Sequence, residues 1–107
     1  MQIIKLEFER GREACASDIA GGTLQLYYQT RSAWGERMTE LFADRFGVAV
    51  VHTSDLTTSS RISYRNGYND QIKRQIDETH GDGSYAAAMK EVRLFRINHY
   101  KENLRDS

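Results

Sequence analysis

Residues 32–51 read SAWGERMTELFADRFGVAVV, and this stretch decides the fold class because a clear helix pattern runs directly into a clear strand pattern. Ser32 can cap the helix at its N-terminus, and Gly47 can end it in the left-handed conformation that glycine adopts without strain. Between them, apolar residues recur at the spacing of one helical face. They are Trp34, Met38, Leu41, Phe42 and Phe46. The spacing predicts a helix from Ser32 to Phe46 that buries this face.

Three segments have strand patterns. The apolar run 48–51 follows Gly47 directly, and such a run is typical of a strand that is covered on both faces. In residues 23–28 and residues 3–8, apolar and polar positions alternate, which predicts strands with one buried face. Between the latter two, residues 11–20 are rich in small side chains, and we expect a short helix there that ends at a glycine pair.

Residues 60–80 allow two interpretations. Apolar residues form a helical stripe that stops at His80, and they are Ile62, Tyr64, Tyr68, Ile72 and Ile76. The dipeptide Asn66-Gly67 interrupts this stripe, and it is a strong signal for a hairpin turn. We favour a helix because the residues after the dipeptide are poor strand formers, and a helix beginning near Asn69 would accommodate both signals.

The last element predicted is a helix that follows the turn Asp82-Gly83-Ser84. Its broad apolar face comprises Tyr85, Ala88, Met89, Val92, Leu94 and Phe95. Residues 103–107 are expected to fray. The whole chain, residues 1–107, is thus predicted to be a single α+β domain, a sheet of about three strands packed against amphipathic helices in two layers. Strand order cannot be read from the pattern, and because so small a sheet leaves open edges we expect a homodimer.

Composition excludes several classes of function. The 107 residues carry 15 basic and 15 acidic side chains, so no net charge attracts a polyanion, and we expect no nucleic-acid partner. A single cysteine rules out an intramolecular disulfide, and a cytoplasmic location is the natural expectation. The charged N-terminus resembles no signal peptide, and no apolar run is long enough to span a membrane. The three histidines lack the spacing of metal motifs, so we expect no metal and no cofactor.

Two groups of residues are candidate sites. His52, Ser54 and Asp55 follow the strand at 48–51, where ligand crevices form in open sheets, and they include a base, a nucleophile and a carboxylate. Neighbouring residues on an extended chain point to alternate sides, however, so they cannot form a local catalytic triad. These three are weak catalytic candidates, and a polar loop with a helix cap is the favoured interpretation.

The second group would line one side of a helix and interleaves arginine with tyrosine. It comprises Arg61, Tyr64, Arg65 and Tyr68. Such a surface can stack bases and hold phosphates, whereas a partly buried tyrosine stripe covered by arginine stems is the simpler interpretation.

Three functions follow from these patterns. We rank a small non-enzymatic protein-interaction or regulatory module first, because the chain has many tyrosines and no complete catalytic constellation. An enzyme or small-ligand binder with a site near His52–Asp55 is one alternative. A nucleic-acid binder that uses Arg61, Tyr64, Arg65 and Tyr68 is the other.

Overall fold

A computed structural model describes residues 2–29, 33–53 and 58–106, which contain four helices and two strands. In chain order these are α1 (Gln2–Ala20), β1 (Gln25–Tyr28), α2 (Ala33–Phe46), β2 (Ala49–His52), α3 (Ser59–His80) and α4 (Ser84–Asp106). The two strands pair in parallel as one sheet. The mixed class with helices beside a small sheet is therefore as predicted.

The predicted strand at residues 3–8 is wrong, because these residues belong to α1, and the described residues hold two strands rather than three. The alternation that suggested a strand is not the pattern that is buried: Leu6 is 58% exposed. What α1 packs is a helical repeat in which Ile4, Phe8 and Gly11 contact α3. The charged residues between them favour helix intrinsically, and Glu7 forms an ion pair with Arg10 one turn later at 2.8 Å.

The β1–α2–β2 unit follows the sequence closely. Gln25 pairs with Ala49, and Tyr28 pairs with His52. Gly47 ends α2 with a φ of 67°, and its N–H donates to the carbonyl of Ala43, which is the helix ending that the sequence predicts. The Ser32 cap lies outside the described residues. Both faces of β2 are not covered as predicted: Val50 is buried, whereas on the opposite face Ala49 is exposed and Val51 is half-buried.

The hairpin alternative at Asn66-Gly67 is wrong, because α3 is one continuous helix from Ser59. Thr58 caps it, and its side chain accepts a hydrogen bond from the backbone N–H of Arg61 at 3.3 Å. Gly67 has a different reason to be glycine: a Cβ there would lie 1.9 Å from the carbonyl oxygen of Phe8 on α1. It permits a close helix contact rather than a turn.

The same close contact requires glycine on α1. A Cβ on Gly11 would lie 1.9 Å from the carbonyl oxygen of Tyr64, and the Ser63 hydroxyl donates to the carbonyl of Ile4. Contacts advance in the same direction along both helices, so α1 and α3 run parallel. Their backbones touch where small side chains face each other, a packing mode in which Cα–H groups approach carbonyl oxygens.

The core lies between the sheet and the four helices, with Cys15 entering it from α1. Its largest fully buried side chains are those of Tyr68, Phe42, Leu26, Met38, Ile72, Ile76, Val48, Val92 and Cys15. The predicted apolar face of α4 is too broad: Ala88 and Val92 are buried, but Leu94 is 52% exposed. The helix continues to Asp106, so residues 103–106, which we expected to fray, are helical. Among the described helices, none combines the length and apolarity that a membrane crossing requires.

Candidate functional site

The first candidate group is only partly described. His52 ends β2 and is exposed, while Ser54 and Asp55 lie outside the described residues. The His52 Nε2 atom is 3.0 Å from the Thr39 hydroxyl oxygen, and that hydroxyl donates to the carbonyl of Gly35. The imidazole tautomer decides which of these two atoms donates in this contact. No carboxylate within the described ranges contacts the imidazole, so nothing there orients His52 as a general base.

The second candidate group is brought together in part. Arg61, Tyr64 and Arg65 line an open cleft of about 370 Å³, together with Glu7 from α1, Tyr27 from β1 and Ser60. The first turns of α3 therefore form one wall, and α1 and β1 form the other. Helical spacing of three and four places the α3 residues on one side of that helix, as the sequence predicts.

Tyr68, the fourth member of that group, lies in the core and is 1% exposed. Its hydroxyl donates to the Asp18 carboxylate at 2.6 Å, and its ring meets the Tyr27 ring edge-on with centroids 5.0 Å apart. Burial, followed by the hydrogen bond to Asp18, raises the pKa of Tyr68 well above its ordinary value. Tyr68 therefore supports the floor of the cleft through Tyr27 and offers no surface of its own.

Tyr27 is held in place by an unusual pair of hydrogen bonds. The Asn69 side chain on α3 accepts from the Tyr27 N–H at 2.9 Å and donates to the Tyr27 carbonyl at 2.7 Å. The amide group of Asn69 thus takes the place of a neighbouring strand along this part of β1, and it covers an edge that would otherwise be open. It also holds the backbone of Tyr27, whose side chain lines the cleft together with Tyr64.

The acidic side chain in the cleft has an ion-pair partner, whereas the two basic side chains do not. The Glu7 carboxylate is paired with Arg10, whereas neither Arg61 nor Arg65 has an ion-pair partner within residues 2–29, 33–53 and 58–106. Burial, then the nearby groups Tyr27, Asp18 and Glu7, raise the pKa of Tyr64. The Tyr64 hydroxyl is therefore neutral at physiological pH and can donate a hydrogen bond. The cleft offers two unpaired guanidinium groups beside two tyrosine rings.

Sequence reasoning missed half of this cleft. The alternating pattern predicts a strand for Glu7 and so gives no indication of its position opposite α3, and Asn69 carries no recognisable sequence signal. Tyr27 could have been found from the strand pattern, in which it points to the face opposite Leu26.

Other chemically suggestive groups do not form sites. Cys15 is fully buried, and burial, then the nearby Asp18 charge, raise its pKa from 9.0 to about 11, so the thiol is protonated and inert at neutral pH. A second cavity of about 100 Å³ is lined by the polar residues Gln75, Thr79 and His80 and by apolar side chains. Within the described part of the chain, no three potential metal ligands come together.

Comparison with known proteins gives no relative for this chain: no protein-family model matches it, and neither a curated protein nor a solved structure is similar to it.

Proposed function

We propose that the chain is a small non-enzymatic protein-interaction module that binds an acidic segment of a partner protein in the cleft beside α3. The observation that carries this proposal is the juxtaposition of Arg61 and Arg65, both without an ion-pair partner among the described residues, with the rings of Tyr64 and Tyr27.

The chemistry of these side chains suits a carboxylate ligand. A guanidinium group binds a carboxylate through two parallel hydrogen bonds, and arginine and tyrosine are the residues that dominate binding energy at protein interfaces. Asn69 already holds the backbone of Tyr27 and Tyr68 packs against its ring, so little conformational entropy is lost when a ligand packs on that ring. A volume of about 370 Å³ accommodates one or two side chains rather than a whole domain.

The surface beside the cleft extends the binding area. Ile3 and Leu6 lie in the first two turns of α1, close to Glu7, and they are 67% and 58% exposed. Neighbouring apolar side chains of this size are typical of interaction surfaces when they are rimmed by polar groups. We expect the partner segment to carry an acidic residue for the cleft and an apolar residue for α1.

Binding of single-stranded nucleic acid is the competing function for the same side chains. It is disfavoured because Tyr68 is buried, which leaves fewer rings for base stacking, and because the Glu7 carboxylate stands in the opposite wall of the cleft. The zero net charge supplies no additional attraction to phosphates.

The absence of catalysis and the cytoplasmic location belong to the same proposal. Among the described residues His52 contacts a threonine and no acid, which supports a non-enzymatic role, and the single buried cysteine suits a reducing compartment.

Selection of the protein against a phage-displayed random peptide library tests the binding proposal. We expect enrichment of peptides with an acidic residue near an apolar or aromatic one. In fluorescence anisotropy, a labelled peptide from this selection should bind Arg61→Ala/Arg65→Ala and Tyr64→Ala at least about tenfold more weakly than the parent protein, because truncating a central interface anchor typically costs about 2 kcal/mol or more.

The matched control is Arg93→Ala/Arg96→Ala, which removes two exposed arginines from α4 and should leave peptide affinity unchanged. Equal binding by the Arg61→Ala/Arg65→Ala variant would refute the cleft as the site. A fluorescent oligothymidine at physiological salt is the second probe. Micromolar binding of it that is lost in the Arg61→Ala/Arg65→Ala variant would replace a protein ligand with a nucleic acid.

A further inference from the structure

The outer surface of α2 and α4 is a second region with no assigned role, and none of its residues lines the cleft. The Arg45 guanidinium makes a bidentate pair with the Glu91 carboxylate, and the Arg37 guanidinium lies 5.6 Å from the centroid of the Phe95 ring. Because higher residue numbers on α2 meet lower numbers on α4, the two helices run antiparallel. Their inner sides enter the core through Phe42 and Val92.

The outer side of α4 carries a regular stripe of basic and apolar residues. Lys90, Leu94, Ile97 and Lys101 follow the spacing i, i+4, i+7 and i+11, so they share one helical face. All four are exposed, and Leu94 and Ile97 are 52% and 47% exposed. Two apolar side chains thus lie between two lysines on a face that the described residues leave uncovered.

The outer side of α2 carries the opposite charge. Glu36, Glu40 and Asp44 recur every four residues, and the small side chain of Ala43 lies exposed among them. In the structure as described, these three carboxylates have no ion-pair partner, and neither do Lys90 and Lys101. A continuous acidic stripe therefore runs beside a basic and apolar stripe.

We propose that a second copy of the chain covers this face, forming a homodimer in which the α2–α4 layers of the two protomers stack as four antiparallel helices. A two-fold axis parallel to the helices places α2 of one protomer over α4 of its partner, so the acidic stripe of each protomer meets the basic and apolar stripe of the other. This charge complementarity favours a second copy of the chain as the partner on this face. An acidic peptide or an anionic membrane would match α4 but would be repelled by α2.

The register of the two helices agrees with this arrangement. The contacts of Arg45 with Glu91 and of Arg37 with Phe95 place Asp44 at the level of Lys90 and Glu36 at the level of Ile97 to Lys101. Rotation about an axis parallel to the helices preserves these levels. Opposite charges therefore meet at both ends of the stripes, and Leu94 and Ile97 are covered at the centre.

Charge reversal followed by mixing tests the proposal. Sedimentation equilibrium should show the parent protein as a dimer at tens of micromolar, and Glu36→Lys/Asp44→Lys should dissociate at least about tenfold more readily, as should Lys90→Glu/Lys101→Glu. An equimolar mixture of the two variants should recover the dimer, because the reversed stripes then match each other. Leu94→Glu/Ile97→Glu should be monomeric, with an unchanged circular dichroism spectrum.

Two controls separate this face from other surfaces. Ile3→Glu/Leu6→Glu, which alters exposed apolar residues on α1, and Arg61→Ala/Arg65→Ala, which alters the cleft, should both dimerise like the parent protein. A parent protein that remains monomeric at about 100 μM would overturn the proposal. A dimer that charge reversal does not weaken, or that mixing does not restore, would overturn it equally.

Discussion

The two helix pairs of this chain are held together in opposite ways. Where α1 and α3 cross, backbones touch at Gly11 and Gly67, and there is no space for even one added carbon. α2 and α4 instead keep side chains between them, with Phe42 and Val92 buried below and the Arg45–Glu91 pair exposed above.

Because of this difference, the two helix pairs should tolerate different kinds of substitution. The α1–α3 contact depends on the absence of side chains at Gly11 and Gly67, so substitutions that add a side chain there should disrupt it. The α2–α4 contact depends on buried side chains such as Phe42 and Val92, so substitutions that truncate them should disrupt it. Substitutions of exposed residues on α2 and α4 should leave this contact intact. The cleft is lined by α1, α3 and Tyr27 of β1, and the proposed dimer surface lies on the outer side of α2 and α4.

The largest effect should come from adding a methyl group between α1 and α3. Alanine normally stabilises a helix by about 1 kcal/mol relative to glycine, yet we expect Gly11→Ala or Gly67→Ala to lose about 3 kcal/mol or more, because each Cβ would meet a backbone carbonyl that cannot rotate away. Together the two substitutions should abolish cooperative unfolding. Urea denaturation followed by circular dichroism measures both.

Asn66→Ala is the matched control, since Asn66 is exposed in the same turn of α3. Its free energy of unfolding should change by no more than about 0.5 kcal/mol. A Gly67→Ala variant as stable as Asn66→Ala would show that α1 and α3 do not approach each other this closely.

A comparable loss of stability should follow when a buried side chain between α2 and α4 is truncated. Phe42 is fully buried and its ring lies against Phe46 and Tyr85, with ring centroids 5.4 and 6.0 Å away. Phe42→Ala should cost about 3 to 5 kcal/mol because it leaves a cavity. Phe42→Leu should recover most of this loss. Thermal unfolding of the two variants measures the difference, and equal midpoints for Phe42→Ala and the parent protein would remove α2 from the core.

These comparisons explain which parts of the fold were readable in the sequence. The periodicity of Trp34, Met38 and Phe42 predicts α2 because a helix that buries side chains leaves a repeat in them. The contact of α1 with α3 leaves no such repeat: its determinants are two glycines, which have no side chain. Gly67 instead completed a hairpin signal with Asn66, and the exposed Leu6 completed a false strand pattern.

The sequence predicts only the part of the candidate site that lies on a single helix. Arg61, Tyr64 and Arg65 share a helix, and spacing alone places them together. The burial of Tyr68 depends on Asp18 and Tyr27, which reach it from α1 and β1. Contacts between elements that are distant in the sequence can be predicted only when the tertiary arrangement is known. Because residues 3–8 were predicted as a strand rather than as part of α1, the contacts of α1 with α3 could not be predicted.

The smallest effect should come from the exposed link between α2 and α4. The pair with Arg45 lowers the pKa of Glu91 from its ordinary 4.5, so the pair contributes stability above that pH and loses it as pH falls through the lowered value in the folded protein. Arg45→Gln should therefore be slightly less stable than the parent protein at pH 7, and the difference should vanish at acidic pH and shrink in high salt, because both groups are exposed to solvent. Chemical denaturation of both proteins across this pH range, at a concentration low enough to keep them monomeric, measures the difference. A loss at pH 7 as large as that of Phe42→Ala would mean that the exposed ion pair, rather than the buried face, holds α2 against α4.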